Sequence, residues 1–282
     1  MVALADVLFV LNPLGQELEN LALLGARDEF RELRADSLED LSSISAIGFT
    51  VSIAAVMLLA LLRRKPALAL AAAAVMAGSA VTTELAKRLL FRPELIDAPP
   101  SWLSNSFPSG HVTVAVAVGI GAVLVVPYAL RPLTTLVAVV YATGIAQAVG
   151  IAGWHRLSDV IGAAFVVLAI ASLVLGVLAV NGRVRSFHRP RRIGFLLVAL
   201  LLGGAGLILV GAGTLFGLAR LLPVPSDPSP DHLELAYATT LVIGSGVIGL
   251  AFLAFHALIR PFAIDEADVF KVPTDPASAA ST

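Results

Sequence analysis

Seven apolar runs dominate the chain, at 44–62, 66–85, 112–128, 133–153, 160–180, 193–218 and 235–259, and most hold no charged residue. A helix needs roughly 20 apolar residues to cross a hydrocarbon core, so each run can span a bilayer as one helix. Inside lipid every backbone N–H and C=O needs an internal partner, and for single runs of this length the helix is the structure that provides it. The expected fold class is therefore all-α, a polytopic transmembrane helix bundle. Composition agrees, because 14% of the residues are charged and mean hydropathy is +0.91, whereas a soluble domain carries about 25% charged residues.

The first residues behave differently. The stretch 2–11 is apolar but is interrupted by Asp6 and followed by Asn12-Pro13, so it is too short to span alone. It reads either as the end of a helix or as an interfacial segment, and it lacks the basic start and small-residue cleavage site of a signal peptide. Residues 16–40 carry eight acidic and three basic side chains and are expected to form a solvated extracytoplasmic stretch. A short amphipathic helix is expected over 21–33.

Orientation follows from Lys and Arg, which concentrate in cytoplasmic loops. Arg63-Arg64-Lys65 marks one such loop, and Arg183, Arg185, Arg189, Arg191 and Arg192 mark another. Alternation through the spans puts Arg131 and the C-terminal tail, with Arg260 and Lys271, on that same side. The expected division is an extracytoplasmic segment at 1–43, a membrane core at 44–180 and a basic cytoplasmic loop at 181–192. Two further spans follow at 193–260, then a cytoplasmic tail at 261–282 whose small polar end is expected to be disordered. The usage of Ala, Val, Leu and Arg suggests a bacterial plasma membrane. The chain has no cysteine, which excludes disulfides and thiolate metal sites, and its net charge of −1 leaves no nucleic-acid footprint. No internal repeat of the kind that builds transporters is visible.

Several basic residues fall on the other side against this trend, among them Lys87, Arg88, Arg92 and Arg156, and a bound anion is the simplest reason. They belong to three polar fragments at the outer ends of spans: 87–93 (KRLLFRP), 105–111 (NSFPSGH) and 153–159 (GWHRLSD). Ionisable groups at such positions are functional-site candidates. Ser109-Gly110-His111 stands at the start of an apolar helix, where free N–H groups and the helix dipole attract anions. It is equally what an ordinary capping turn looks like. His155 and Asp159 are four residues apart and share a helix face. A carboxylate so placed can take the Nδ1 proton, fix the tautomer and leave Nε2 free as a nucleophile. Lys87 and Arg92 suit phosphate as a point charge and a bidentate fork. Arg88 reads as an interfacial cation, Glu84 as its local partner, and Trp102 and Trp154 as interfacial anchors. His188, His232 and His256 lie at no convergent position. No acidic cluster that would hold a metal is apparent.

These fragments resemble the signature motifs of the type 2 phosphatidic-acid phosphatase superfamily, which also includes vanadium-dependent haloperoxidases. The resemblance covers 66–180 and implies a six-helix phosphatase core, with 2–11 standing for an apparently truncated first helix and the last two spans added outside it. It makes His155 the nucleophile that forms a phosphohistidine, Asp159 its orienting carboxylate, and His111 the acid for the leaving oxygen and then the base for water. Lys87, Arg92, Ser109 and Gly110 would hold the phosphoryl oxygens, with no cofactor and no metal. Two departures stand out. The family's first motif places Arg-Pro where this chain has Glu94-Leu95, with Arg92-Pro93 nearer the lysine, and its third motif opens with Ser-Arg where this chain has Ala148-Val149. Arg156, beside the nucleophile, is the candidate substitute for the missing arginine. The implied activity is hydrolysis of a membrane lipid phosphate, phosphatidate-like or polyprenyl, on the extracytoplasmic face. A lipid phosphotransferase and a non-catalytic lipid-phosphate binder or transport component are the alternatives. If both histidines serve one phosphorus, their rings should lie about 5–8 Å apart.

Overall fold

The computed structural model describes residues 6–29, 41, 46–93, 95–96, 105–186, 192–260 and 262–264. Among these, the α-helices are α1 (Pro13–Glu29), α2 (Ala46–Leu62), α3 (Pro66–Leu89), α4 (Gly110–Val125), α5 (Arg131–Ile151), α6 (Leu157–Val180), α7 (Arg192–Val198), α8 (Ala205–Leu221) and α9 (Pro230–Ile259). A π-helical stretch, Ala199–Gly204, joins α7 to α8 into one long apolar rod. Each of the seven apolar runs is helical over most of its described residues. Five helices are long and apolar enough to cross a membrane, and α2 and α4 are shorter apolar helices. The chain is a multi-pass, all-α membrane bundle. The strands β1 (Val184–Ser186) and β2 (Phe262–Ile264) form a two-stranded clasp three residues long, pairing antiparallel with Arg185 opposite Ala263.

Local chemistry sets the helix limits. Proline occupies the first turn of α3, α5 and α9, where its missing N–H costs nothing. Small residues fill the centre: Ala72, Ala115, Ala117, Ala163 and Ala171 are fully buried, so α3, α4 and α6 approach closely. Gly119 leaves room for Phe252 of α9.

Two expectations need correction. Residues 6–10 form a single π turn in which Val10 is buried, and α1 begins at Pro13, well before the amphipathic helix expected at 21–33. Asn12 starts α1 early, its Oδ1 accepting from Leu14 N at 3.0 Å and Gly15 N at 3.4 Å. Nor is this stretch simply solvated, because Gln16, Glu19, Leu21, Ala22, Leu23 and Ala26 are buried where α1 packs along α9. The C-terminal pair is also unequal. Helix α9 packs against α1, α5, α6 and α8 and is part of the core, whereas α8 lies on the outside of the bundle. Residues 30–40, Trp102, His188 and the tail beyond Ile264 lie outside the described residues.

Candidate functional site

The three polar fragments meet at one end of the bundle. Lys87 sits in the last turn of α3, residues 105–109 lead into α4, and 153–156 turn the chain from α5 into α6. Asn105 ties the second fragment to the first, its Nδ2 donating to Leu90 O at 2.9 Å and Lys87 O at 3.4 Å. Ser109 N donates to Asp159 O at 3.0 Å, which ties the second fragment to the third. The fully buried Phe107 locks the same joint. Its ring lies on Gly162 of α6, where a Cβ would overlap it, so only glycine fits. Gly153 closes the α5–α6 turn at φ +66°, a conformation that side chains disfavour.

Ser109 is the N-cap of α4, its Oγ accepting from Val112 N at 3.4 Å. The capping turn and the anion-site reading therefore describe one structure, because the N–H groups of Gly110 and His111 belong to a first turn that has no intrahelical acceptors for them. A Cβ on Gly110 would stand 3.3 Å from Lys87 Nζ, so the ammonium lies across this helix start.

His155 Nδ1 is 3.1 Å from Asp159 Oδ2. The same oxygen accepts from Ser106 Oγ at 2.6 Å and Arg156 N at 2.9 Å. With three donors converging on a fully buried carboxylate, Nδ1 carries the imidazole proton and Nε2 keeps a lone pair. The His111 ring centroid is 6.4 Å from that of His155 and 5.6 Å from that of Trp154. This separation falls within the range of about 5–8 Å that lets two imidazoles flank one phosphorus-sized centre. Such a pair can supply a nucleophile on one side and a proton carrier on the other.

The arginines are placed differently from the lysine. Arg92 is buried, with Nη2 on Glu19 Oε2 at 3.1 Å and Nη1 without a hydrogen-bond partner among the described residues. Glu19 Oε1 accepts from Ser158 N at 2.7 Å, so one carboxylate of α1 bridges the first fragment to the start of α6. Burial pushes the Glu19 carboxyl above the usual carboxylate range, and the charge of Asp159 adds to this, while Arg92 and Ser158 pull the other way. Arg156 is also buried. Its Nη1 donates to Ser106 Oγ and its Nη2 to Asn20 Oδ1, both at 3.4 Å. Both guanidinium groups thus serve the joint between α1, the 105–109 loop and α6. Arg88 pairs with Glu84 at 3.2 Å on the surface.

From Lys87 and His111 a cleft of about 260 Å³ runs between α2, α3 and α4, with Phe49, Ala80 and Val114 among its apolar lining. Among the described residues no group of three or more His, Cys, Asp or Glu is arranged to hold a metal ion.

Reading the sequence alone passed over Glu19, Asn20 and Ser106. Ser106 lies inside the 105–111 fragment, and its hydroxyl next to Asn105 was the available signal. Glu19 had a weaker one, an acid flanked by Leu18 and Leu21 in a segment whose Asn12-Pro13 announces a helix start.

Comparison with curated proteins and with solved structures returns no match to the chain. Residues 66–185 match the family model of the PAP2 superfamily. That stretch runs from the start of α3 into β1 and contains all three fragments, and over it the chain is similar to the PAP2 superfamily.

Proposed function

We propose that the protein is an integral-membrane lipid phosphate phosphatase. It hydrolyses a phosphate monoester or diphosphate of a phosphatidate-like or polyprenyl lipid on the extracytoplasmic face. The observation that carries this reading is the His155–Asp159 pair facing His111 at 6.4 Å. His155 Nε2 attacks phosphorus, the P–O bond to the lipid breaks, and protonated His111 gives its proton to the departing oxygen. Water then attacks the phosphohistidine with His111 taking its proton, which releases phosphate and restores His155. Asp159 holds the Nδ1 proton throughout and stabilises the positive charge that develops on the ring.

Phosphoryl transfer is mainly positioning and charge stabilisation. Lys87 and the N–H groups of Gly110 and His111 meet the equatorial oxygens, with Ser109 shaping that helix start. Arg92 and Arg156 hold the platform under the site, and Arg92 keeps one donor in reserve. The nearby acids Asp159, Glu19 and Glu84 each have a hydrogen-bond or ion-pair partner, which favours cationic side chains over a divalent ion as the source of charge. The apolar cleft beside Lys87 supports a lipid substrate, because it brings a chain lying in the membrane to within reach of the histidines.

The test is phosphate release from detergent-solubilised lipid phosphates in the presence of EDTA. Wild type should release phosphate and His155→Ala should not. Transfer of the phosphoryl group to an added alcohol in place of water would make the protein a phosphotransferase. Equal release by both proteins, or none by wild type, contradicts an enzymatic role and leaves a binding protein.

A further inference from the structure

The end of the bundle opposite the histidine pair holds a second group of convergent polar side chains. A cavity of about 160 Å³ lies between the start of α5, α7 and the end of α9, and Arg131, Arg260, His256 and Tyr128 line it with Phe195. Sequence position alone made His256 unremarkable, but α9 runs the length of the bundle and delivers it here. Both cations are held in place by aromatic rings. Arg260 Cζ stands 4.1 Å above the centroid of Phe195, and Arg131 Cζ is 5.5 Å from that of Tyr128. Arg131 is almost fully buried, with Nη1 donating to Ile259 O at 3.2 Å and Phe262 O at 3.0 Å. The Nε of Arg260 is buried with no hydrogen-bond partner among the described residues. Among the described residues that line the cavity none is a carboxylate.

The hydrogen bonds around His256 define what the site lacks. Thr135 has one hydroxyl proton and gives it to Arg131 O at 2.7 Å. The 2.8 Å contact between Thr135 Oγ1 and His256 Nδ1 therefore takes its proton from the ring, and the neutral imidazole keeps an acceptor at Nε2. The cavity thus offers a guanidinium donor, the buried Arg260 Nε, beside one imidazole acceptor. A carboxylate at neutral pH has acceptors only. A hydrogenphosphate group, or a phosphodiester bearing a polyol, matches both halves, with oxygens for the guanidinium and a hydroxyl for the histidine.

We propose that this cavity is a binding site for a hydroxyl-bearing phosphate group, separate from the phosphoryl-transfer site. The group belongs either to an anionic lipid head group or to free phosphate. The basic residues at this end favour an anion as ligand: Arg63, Arg64 and Lys65 follow α2, Arg183 precedes β1, and Arg260 ends α9.

The experiment uses the full chain with the opposite site disabled by Lys87→Met and His155→Ala. One arm measures binding of radiolabelled inorganic phosphate in detergent. The other compares thermal unfolding in phosphatidylcholine nanodiscs with and without phosphatidylglycerol. One saturable phosphate class, or a stabilisation by phosphatidylglycerol, is expected, and which arm responds identifies the source of the group. Adding Arg260→Gln should weaken the binding about tenfold or more, the loss of one charge-assisted hydrogen bond. Arg260→Lys, which keeps the charge, should lose less. Response in neither arm overturns the proposal, as does binding unchanged by Arg260→Gln in a protein whose ligand-free unfolding matches its parent.

Discussion

Two histidines, the half-buried His155 and the buried His256, one near each end of the bundle, differ in the partner that holds Nδ1. His155 is held by the Asp159 carboxylate at 3.1 Å, and His256 by the Thr135 hydroxyl at 2.8 Å. Both partners select the same tautomer and leave Nε2 with its lone pair. Only the carboxylate also stabilises a positive ring, which forms when Nε2 attacks phosphorus. His256 instead lies between two arginines that oppose that charge. In the functions proposed above, the same side chain serves covalent chemistry at one end and recognition at the other, and the neighbour makes the difference.

The most direct way to break the comparison is to make the first site resemble the second. Asp159→Asn gives His155 a neutral partner, and phosphate release should fall by about a hundred- to ten-thousandfold. A steady-state assay that finds less than a tenfold loss would mean that the carboxylate does no more than the hydroxyl. The next effect is on stability. The histidine-pair end rests on the buried Glu19–Arg92 ion pair, while the arginines at the other end rest on carbonyls and rings. Glu19→Ala strands the Arg92 charge and should cost about 3–5 kcal/mol, measured as a lowered unfolding midpoint in detergent. Replacing both partners by apolar residues should cost much less. Gly162→Ala tests the clamp on the 105–109 loop. Its Cβ meets the Phe107 ring, and the expected loss is about 1–3 kcal/mol with reduced turnover, since the loop carries Ser106 and leads into the start of α4, where His111 lies.

The membrane helices were legible because lipid imposes one rule on every run: length, apolarity and an internal partner for each backbone group. The His155–Asp159 contact was legible because it is local in sequence, but the shared helix face expected for it is corrected: His155 lies in the turn before the N-cap Arg156, and Asp159 reaches back to it from the first turn of α6. What sequence could not show is long-range. Glu19 lies 73 residues from Arg92 and 139 from Ser158, and no periodicity encodes such a meeting. The roles of Arg92 and Arg156 changed for that reason: charge and spacing suited phosphate, but a carboxylate and an amide from α1 engaged them first. His256 was obscured in the same way, because its position inside an apolar run says nothing about Arg131 on another helix.

The covalent intermediate provides the most direct test of the central claim. Wild-type protein is mixed briefly with a lipid substrate labelled in its phosphate, quenched in alkali and digested, and the acid-labile phosphopeptide is sequenced by mass spectrometry. The label should sit on His155, should be absent from His155→Ala, and should accumulate in His111→Ala given a substrate whose leaving group needs no proton. Label on another residue, or turnover in wild type with no trapped phosphohistidine under any quench time, would contradict the account.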